Sequence, residues 1–231
     1  GFVYNYGAVH PDLNNEAWQS IDAVLSVRDW IFDRVTWERP MVTIYWPAIT
    51  LWPSCEGNTI YLPDKAYWEW DHVEVYHQYA LCVLYALYGN TFPAGWLGPI
   101  PPHRAFYESS NVFAFVAGWA EFMQCAVDNN PNNLVDWNGG HGGNIETNDW
   151  FNCMDMGDMD GAIVEGSVAS VLWDIFDPMN EPHDHLDLGF DEIFYILRDY
   201  KPPDFSSFWN QWVLRYPAYQ GDLSTICWVY G

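Results

Sequence analysis

The sequence predicts an α+β domain in which an N-terminal helix and a small β-sheet precede a mostly helical remainder. Two short runs rich in β-branched and aromatic residues lie in the first third of the chain, at 41–46 and 58–62. Helical spacing of apolar residues dominates from residue 71 onward, without the strand–helix alternation of a parallel sheet. Since half of the 231 residues are hydrophobic, we expect a single domain over 1–231 with a substantial core.

The N-terminal elements follow from two different periodicities. Between residues 15 and 35, apolar side chains such as Trp18, Ile21 and Leu25 recur at the spacing of an amphipathic helix. The runs MVTIYW (41–46) and NTIYL (58–62) are bounded by Pro and Gly, which is typical of strands.

Helical periodicity governs the rest of the chain. Residues 71–88 place His77 and Leu81 on one face, and Gly89 with Asn90 supplies a stop signal. A third helix near 112–127 carries Ala117, Glu121 and Cys125 four residues apart on one stripe. The polar, Gly- and Asn-rich run 128–149 predicts irregular structure. Further helices are predicted at 163–176, near 191–199 and near 205–214.

Charge excludes two classes of partner. Eight Lys and Arg against 31 Asp and Glu give a net charge of -23, which repels nucleic acid and anionic lipid. No run of 18 apolar residues occurs, so we expect no membrane insertion. The chain starts at Gly1 with no basic and apolar leader, so we expect an exported product whose signal peptide is already removed.

The five cysteines indicate the same compartment. They lie at Cys55, Cys82, Cys125, Cys153 and Cys227, and no CxxC motif occurs, which argues against a zinc ribbon or a thioredoxin-like site. Two disulfides and one free thiol would suit an extracellular protein, with the pairing left open.

Three segments in order carry a family resemblance. They are IYLPDKAYWEWDHVEVYHQYALCVLYALYG (60–89), AGWAEF (117–122) and VEGSVASVLWDIFDPMNEPHDHLDLGFDEI (164–193). Together they resemble secreted gluzincin-like metallopeptidases of archaea and bacteria, whose motifs are HExxH and EGWAEF. The resemblance covers roughly residues 40–215 and implies a zincin-like core.

The same comparison implies a lost zinc site. Gln78 stands where the family has its general base, Leu81 where it has the second zinc-binding histidine, and Ala117 where it has the glutamate ligand. Only His77 remains, whereas catalytic zinc uses three protein ligands and an open position. We therefore expect no zinc and no peptidase activity.

An active metallohydrolase is the alternative. It would need a site rebuilt from Glu74, His77 and Glu121, or residues other than Gln, Leu and Ala at positions 78, 81 and 117. The resemblance also implies that His103, in PPHRAFYESSN, lies near the vestigial cleft. Glu165 falls on an apolar helical face, so it predicts a buried, hydrogen-bonded carboxylate.

A second metal is suggested by an acidic segment. Oxygen-bearing side chains crowd residues 174–187, and calcium binds six to eight oxygen ligands in flexible loops. The candidate ligands are Asp174, Asp177, Asn180, Asp184 and Asp187. The alternative is a solvated acidic face, because the spacing does not match an EF-hand.

The function expected from these patterns is a structural, self-assembling or binding one. The chain contains 15 Trp, 15 Tyr and 13 Phe, and aromatic side chains are common anchors of protein interfaces. We expect a homo-oligomer, with an extracellular filament as one form, and alternatively an aromatic-rich binder of peptide or glycan in the vestigial cleft.

Overall fold

The computed structural model describes residues 15–38, 41–63, 72–98, 105, 107–132, 134–135, 141–147, 160–178 and 185–230. In chain order the elements are α1 (Asn15–Val35), β1 (Thr43–Ala48), β2 (Ser54–Glu56), β3 (Thr59–Pro63), α2 (His72–Leu87), α3 (Asn111–Ala126), β4 (Leu134–Val135), β5 (His141–Gly143), α4 (Glu165–Phe176), α5 (Phe190–Tyr200), α6 (Phe205–Arg215) and α7 (Gln220–Tyr230). Single 3₁₀ turns lie at Gly161–Ile163 and Pro217–Tyr219. The α+β class is confirmed for this part of the chain.

The small sheet has the order β1-β3-β2. β1 runs parallel to β3, with Thr43 opposite Thr59 and Tyr45 opposite Tyr61, and β2 runs antiparallel to β3. The register of β1 shifts between Tyr45 and Ala48, a stretch that includes a cis Trp46–Pro47 bond. Because the strand order is β1-β3-β2, β1 is an edge of this sheet among the described residues.

The centre of the helical part is α3. Every residue from Phe113 to Ala126 is buried, as expected for a helix that is apolar on nearly all sides. α2 packs on one side of α3, where the Trp119 Nε1–H donates to the Ala80 carbonyl over 3.0 Å. α4 packs closely on another side, where Gly118 faces the first turn of α4. Three helices thus frame the region of the resemblance motifs.

Much of the aromatic surplus fills the core. Trp30 of α1 meets Phe190 of α5 edge-to-face at 4.6 Å, and Phe115 of α3 meets Phe208 of α6 at 5.9 Å. In the Gly- and Pro-rich loop before α3, Trp96 stacks on Phe113 at 5.2 Å. Trp96 is thus held by a contact within the chain, whereas Trp228 near the C-terminus is 84% exposed.

The cysteines do not form the expected pair of disulfides. No disulfide occurs among the described residues: Cys55, Cys82 and Cys125 are buried thiols, and Cys227 is half-buried. Cys153 lies outside the described residues. None of the described helices combines the length and the apolarity needed to cross a membrane.

Candidate vestigial metal site between α2, α3 and α4

The α2 face that resembles a zinc-binding helix is largely closed to solvent. His77 is half-buried, while Gln78 is 5% exposed and Leu81 is 2% exposed. Leu81 belongs to the main hydrophobic cluster, next to Ala80 and Cys82. At the position where the family resemblance implies a second imidazole, this chain therefore has a hydrocarbon that contributes to the core.

Gln78 is engaged by its own helix. Its Nε2 donates a hydrogen bond of 2.7 Å to Oε1 of Glu74, one turn earlier in α2. Residues four apart on a helix lie side by side, so the pair is held by the backbone geometry. An amide has no carboxylate with which to accept a proton from water, so Gln78 cannot act as the general base.

The stripe of α3 that begins at Ala117 carries both apolar and polar residues. Ala117 is 2% exposed and Glu121 is 4% exposed, four residues apart as the sequence predicts. Gln124 continues the stripe and is 1% exposed, and neither polar atom of its amide has a hydrogen-bond partner in the described parts of the chain. Sequence reasoning missed Gln124, although its position seven residues after Ala117 places it on the same face.

These residues do not fit a catalytic zinc ion. His77, Leu81 and Ala117 together offer one imidazole donor, and zinc in catalytic sites takes three protein ligands. The described residues contain no group of three or more His, Cys, Asp or Glu side chains placed to hold a metal. Glu74, His77 and Glu121 therefore do not form such a group among these residues.

The first turn of α4 closes the region from another side. Glu165 is 1% exposed, which confirms the predicted burial of this carboxylate. A Cβ atom on Gly118 would lie 2.6 Å from the Glu165 carbonyl oxygen and 2.8 Å from Cβ of Val168. Only a residue without a side chain allows α3 and α4 to approach this closely.

A polar contact joins the start of α2 to the turn after α3. The His72 ring lies 3.0 Å from Oδ2 of Asp128, and the Tyr76 hydroxyl donates to Oδ1 of the same carboxylate over 3.3 Å. Burial, and then the charge of Asp128, raises the pKa of Tyr76 to about 12. No local pattern in the sequence predicts this contact, because its members are more than 50 positions apart.

The acidic segment 174–187 is predicted to be either a calcium site or a solvated acidic face, and part of it is buried. Asp174 and Asp177 are 1% and 3% exposed, so a solvated acidic face is wrong for these two carboxylates. The Tyr230 hydroxyl donates to Oδ1 of Asp174 over 3.2 Å, linking α4 to α7. Asp187, which lies 13 positions after Asp174, is exposed. Asn180, Asp184 and His103 lie outside the described residues.

A small pocket lies beside this link. It is lined by residues of α4, α6 and α7 that include Ser167, Phe205 and Cys227. Burial, and then the charge of Asp174, raises the pKa of the Cys227 thiol to about 12. The thiol is therefore neutral and weakly nucleophilic at ordinary pH.

Comparison with known proteins identifies the family. Residues 35–225 match the family model described as the Mycolysin C-terminal domain. No curated protein matches the sequence significantly. Because the matched residues make up well over half of the chain, the protein belongs to the Mycolysin C-terminal domain family, which is related to metallopeptidases.

Proposed function

We propose that this protein is an exported, metallopeptidase-related domain that has lost its zinc and its general base and acts as a structural, self-associating module. Leu81 carries the proposal, because a buried hydrocarbon occupies the position at which the family resemblance implies a metal ligand. Ala117 on α3 supplies no donor atom either. The family relationship supports a location outside the cell.

The amide of Gln78 supports the same proposal. A glutamate at this position would lie beside Glu74, whose Oε1 is 2.7 Å from Nε2 of Gln78. Two carboxylates so close would repel each other, whereas an amide donor pairs with the carboxylate. The local structure of α2 is thus adapted to Gln78 as a structural residue.

Elemental analysis of the purified protein tests the proposal directly. We expect zinc far below one ion per chain and no cleavage of peptide substrates, because one imidazole cannot hold the metal. About one zinc ion per chain, lost together with peptidase activity on chelation, would contradict the proposal.

Restoring the motif residues is the second test. We expect the triple variant Gln78→Glu, Leu81→His and Ala117→Glu to bind about one zinc ion per chain, because it supplies three ligands and a base. The double variant Leu81→His and Ala117→Glu is the matched control: it should bind zinc without hydrolysing peptide, since Gln78 accepts no proton.

Each single variant should bind no stoichiometric zinc. Circular dichroism melts of all variants show whether the fold survives, because a histidine in place of Leu81 disturbs a packed core. A folded triple variant that binds no zinc would mean that α2 and α3 do not present these positions to a common point, and the proposed ancestry of the site would fail.

A further inference from the structure

The stretch that contains β1 is unusual for this chain because it carries no charge. Residues 40–55, between Arg39 and Glu56, include no Asp, Glu, Lys or Arg, although the whole chain has a net charge of -23. A long uncharged segment with high β-propensity at the edge of a sheet is a site at which strands of different chains pair.

The same stretch exposes large apolar side chains. Met41 is 61% exposed, Tyr45 55%, Ile49 106% and Leu51 71%. Tyr45 also stacks on Tyr61 of β3, with ring centroids 5.3 Å apart and planes 8° apart. This pair gives the exposed face of the sheet a flat aromatic surface. Several large apolar side chains exposed within one short stretch are typical of an interaction site.

The backbone geometry of β1 shows which groups are available. The Thr43 amide donates to the Asn58 carbonyl over 2.9 Å, so the peptide groups of Thr43 are directed at β3. Along a strand these directions alternate, so the peptide groups of Val42, Ile44 and Trp46 point away from β3. On that side β1 has no strand neighbour among the described residues.

We propose that this edge pairs with β1 of a second copy of the chain, antiparallel and centred on Ile44. In this arrangement Ile44 pairs with Ile44 of the second copy, and Val42 pairs with Trp46. All three outward-facing peptide groups on each strand then form hydrogen bonds, and the two sheets become one of six strands. The proposal rests on the self-associating role proposed above and names its interface.

Charge identifies the second copy as the occupant. A basic partner would gain nothing from a stretch without acidic side chains. Each copy has a net charge of -23, so two copies can meet only through surfaces that lack carboxylates, and β1 is such a surface. Two copies that meet through residues 40–55 bring together the part of each chain that lacks carboxylates. A two-fold axis makes such a strand complementary to itself.

The side chains on the exposed face fit the same pairing. Thr43 would lie opposite Tyr45 of the second copy, and Met41 opposite Pro47, as close pairs without backbone hydrogen bonds between them. Pro47 lacks an N–H group, but it lies beyond the three hydrogen-bonded positions. Tyr45, which is exposed in the single chain, would be covered by apolar contacts in the dimer.

Sedimentation and light scattering of the full chain at about 1 M salt, where the Debye length falls to about 3 Å, test the pairing. We expect a mass twice the 26.8 kDa of one chain and a weaker dimer as salt is lowered. In Thr43→Glu with Tyr45→Glu, four carboxylates would be enclosed in the apolar contact without partners, a desolvation cost that salt does not screen, so the dimer should be lost. The matched control, Ser206→Glu with Leu214→Glu on exposed positions of α6, adds equal charge and should remain dimeric.

A crosslink provides the positive test. The double variant Thr43→Cys and Tyr45→Cys should form covalent dimers on mild oxidation, because close non-hydrogen-bonded pairs bring Cα atoms to about 4.5 Å. Hydrogen exchange should show protected amides at Ile44 and Trp46 in the dimer and faster exchange in the glutamate variant.

Three results would overturn this interface. They are a monomer at every salt concentration, a dimer that survives the glutamate variant, and protected Ile44 and Trp46 amides in a monomer, which would mean that the same chain covers the edge. The zinc content measured above is independent of dimerisation, so the failure of the interface is distinguishable from the failure of the proposed function.

Discussion

Gly118 determines how closely α3 and α4 pack, and it is the second residue of the AGWAEF segment. The neighbouring Ala117 and Trp119 contribute to other faces of α3, so the three consecutive residues have three different roles. Ala117 belongs to the buried stripe that also carries Glu121, Gly118 permits close helix packing, and the Trp119 indole donates to the α2 backbone at Ala80. The AGWAEF segment therefore has a structural role in the packing of α3.

Substitution of this glycine should be costly. We expect Gly118→Ala to lower the free energy of unfolding by about 2–3 kcal/mol, because the new methyl group overlaps the Glu165 carbonyl at 2.6 Å. The measurement is urea unfolding followed by circular dichroism. Gly221→Ala in α7 is the matched control: no atom lies within 4 Å of its Cβ position, so it should be neutral or stabilising by up to about 1 kcal/mol. Equal effects of the two variants would contradict the close packing.

Alkaline pH should destabilise the fold through Cys227. Its folded-state pKa of about 12 lies above the ordinary value of 9.0, so the buried neutral thiol contributes stability that is complete below about pH 9. That contribution is lost as pH rises from 9 to 12. In thermal melts, Cys227→Ala should show a smaller decrease of the melting midpoint over this range than the parent chain. Thr225→Ala, on an exposed position of the same helix, should follow the parent.

At the scale of elements, the spacing of apolar residues predicted most of the helices. The first six helices appear within a few residues of their predicted bounds. α7 was missed, because the sequence QGDLSTICWVY has no clear apolar stripe and is helical through its contacts with α4. β2 was missed because three residues are too short for an alternating pattern, and its strand character comes from pairing with β3.

The candidate site was predictable only in part. Helical spacing brought His77 with Leu81 and Ala117 with Glu121, since residues four apart share a face. The contact of His72 and Tyr76 with Asp128 depends on how α2 packs against α3, and no local pattern in the sequence encodes that distance. Short-range geometry is thus readable from sequence, whereas the pairing of distant elements is not.

Calcium binding by the acidic segment 174–187 stays a prediction. We expect about 10 mM Ca²⁺ to raise the melting midpoint by a few degrees relative to EDTA, because a ligand that prefers the native state stabilises it by mass action. The variant Asp187→Asn should lose the shift, since it removes an exposed candidate ligand. Mg²⁺ at the same concentration is the control ion, because it demands a tighter, octahedral set of ligands. An unchanged midpoint with Ca²⁺ would contradict the prediction.

At the scale of the whole molecule, one hydrophobic cluster unites the helices and the sheet. It runs from Ala23 in α1 through Ile60 in β3 to Tyr230 in α7. α2 and α3 have almost no polar face, so their stability depends on being enclosed by the outer elements. Gln78, Leu81 and Ala117 are all buried in these two helices, so the positions that the family resemblance associates with a metal site are part of the enclosed interior.

The buried thiols make that enclosure accessible to a chemical measurement. Cys82 lies on α2 and Cys125 on α3, both 0% exposed, and Cys55 on β2 is 4% exposed. A soluble alkylating reagent can reach such sulfur atoms only while the surrounding structure is open. Its rate of reaction therefore reports how often each thiol becomes exposed by local unfolding under native conditions. Mass spectrometry of the alkylated peptides would then report local unfolding separately for β2, α2 and α3.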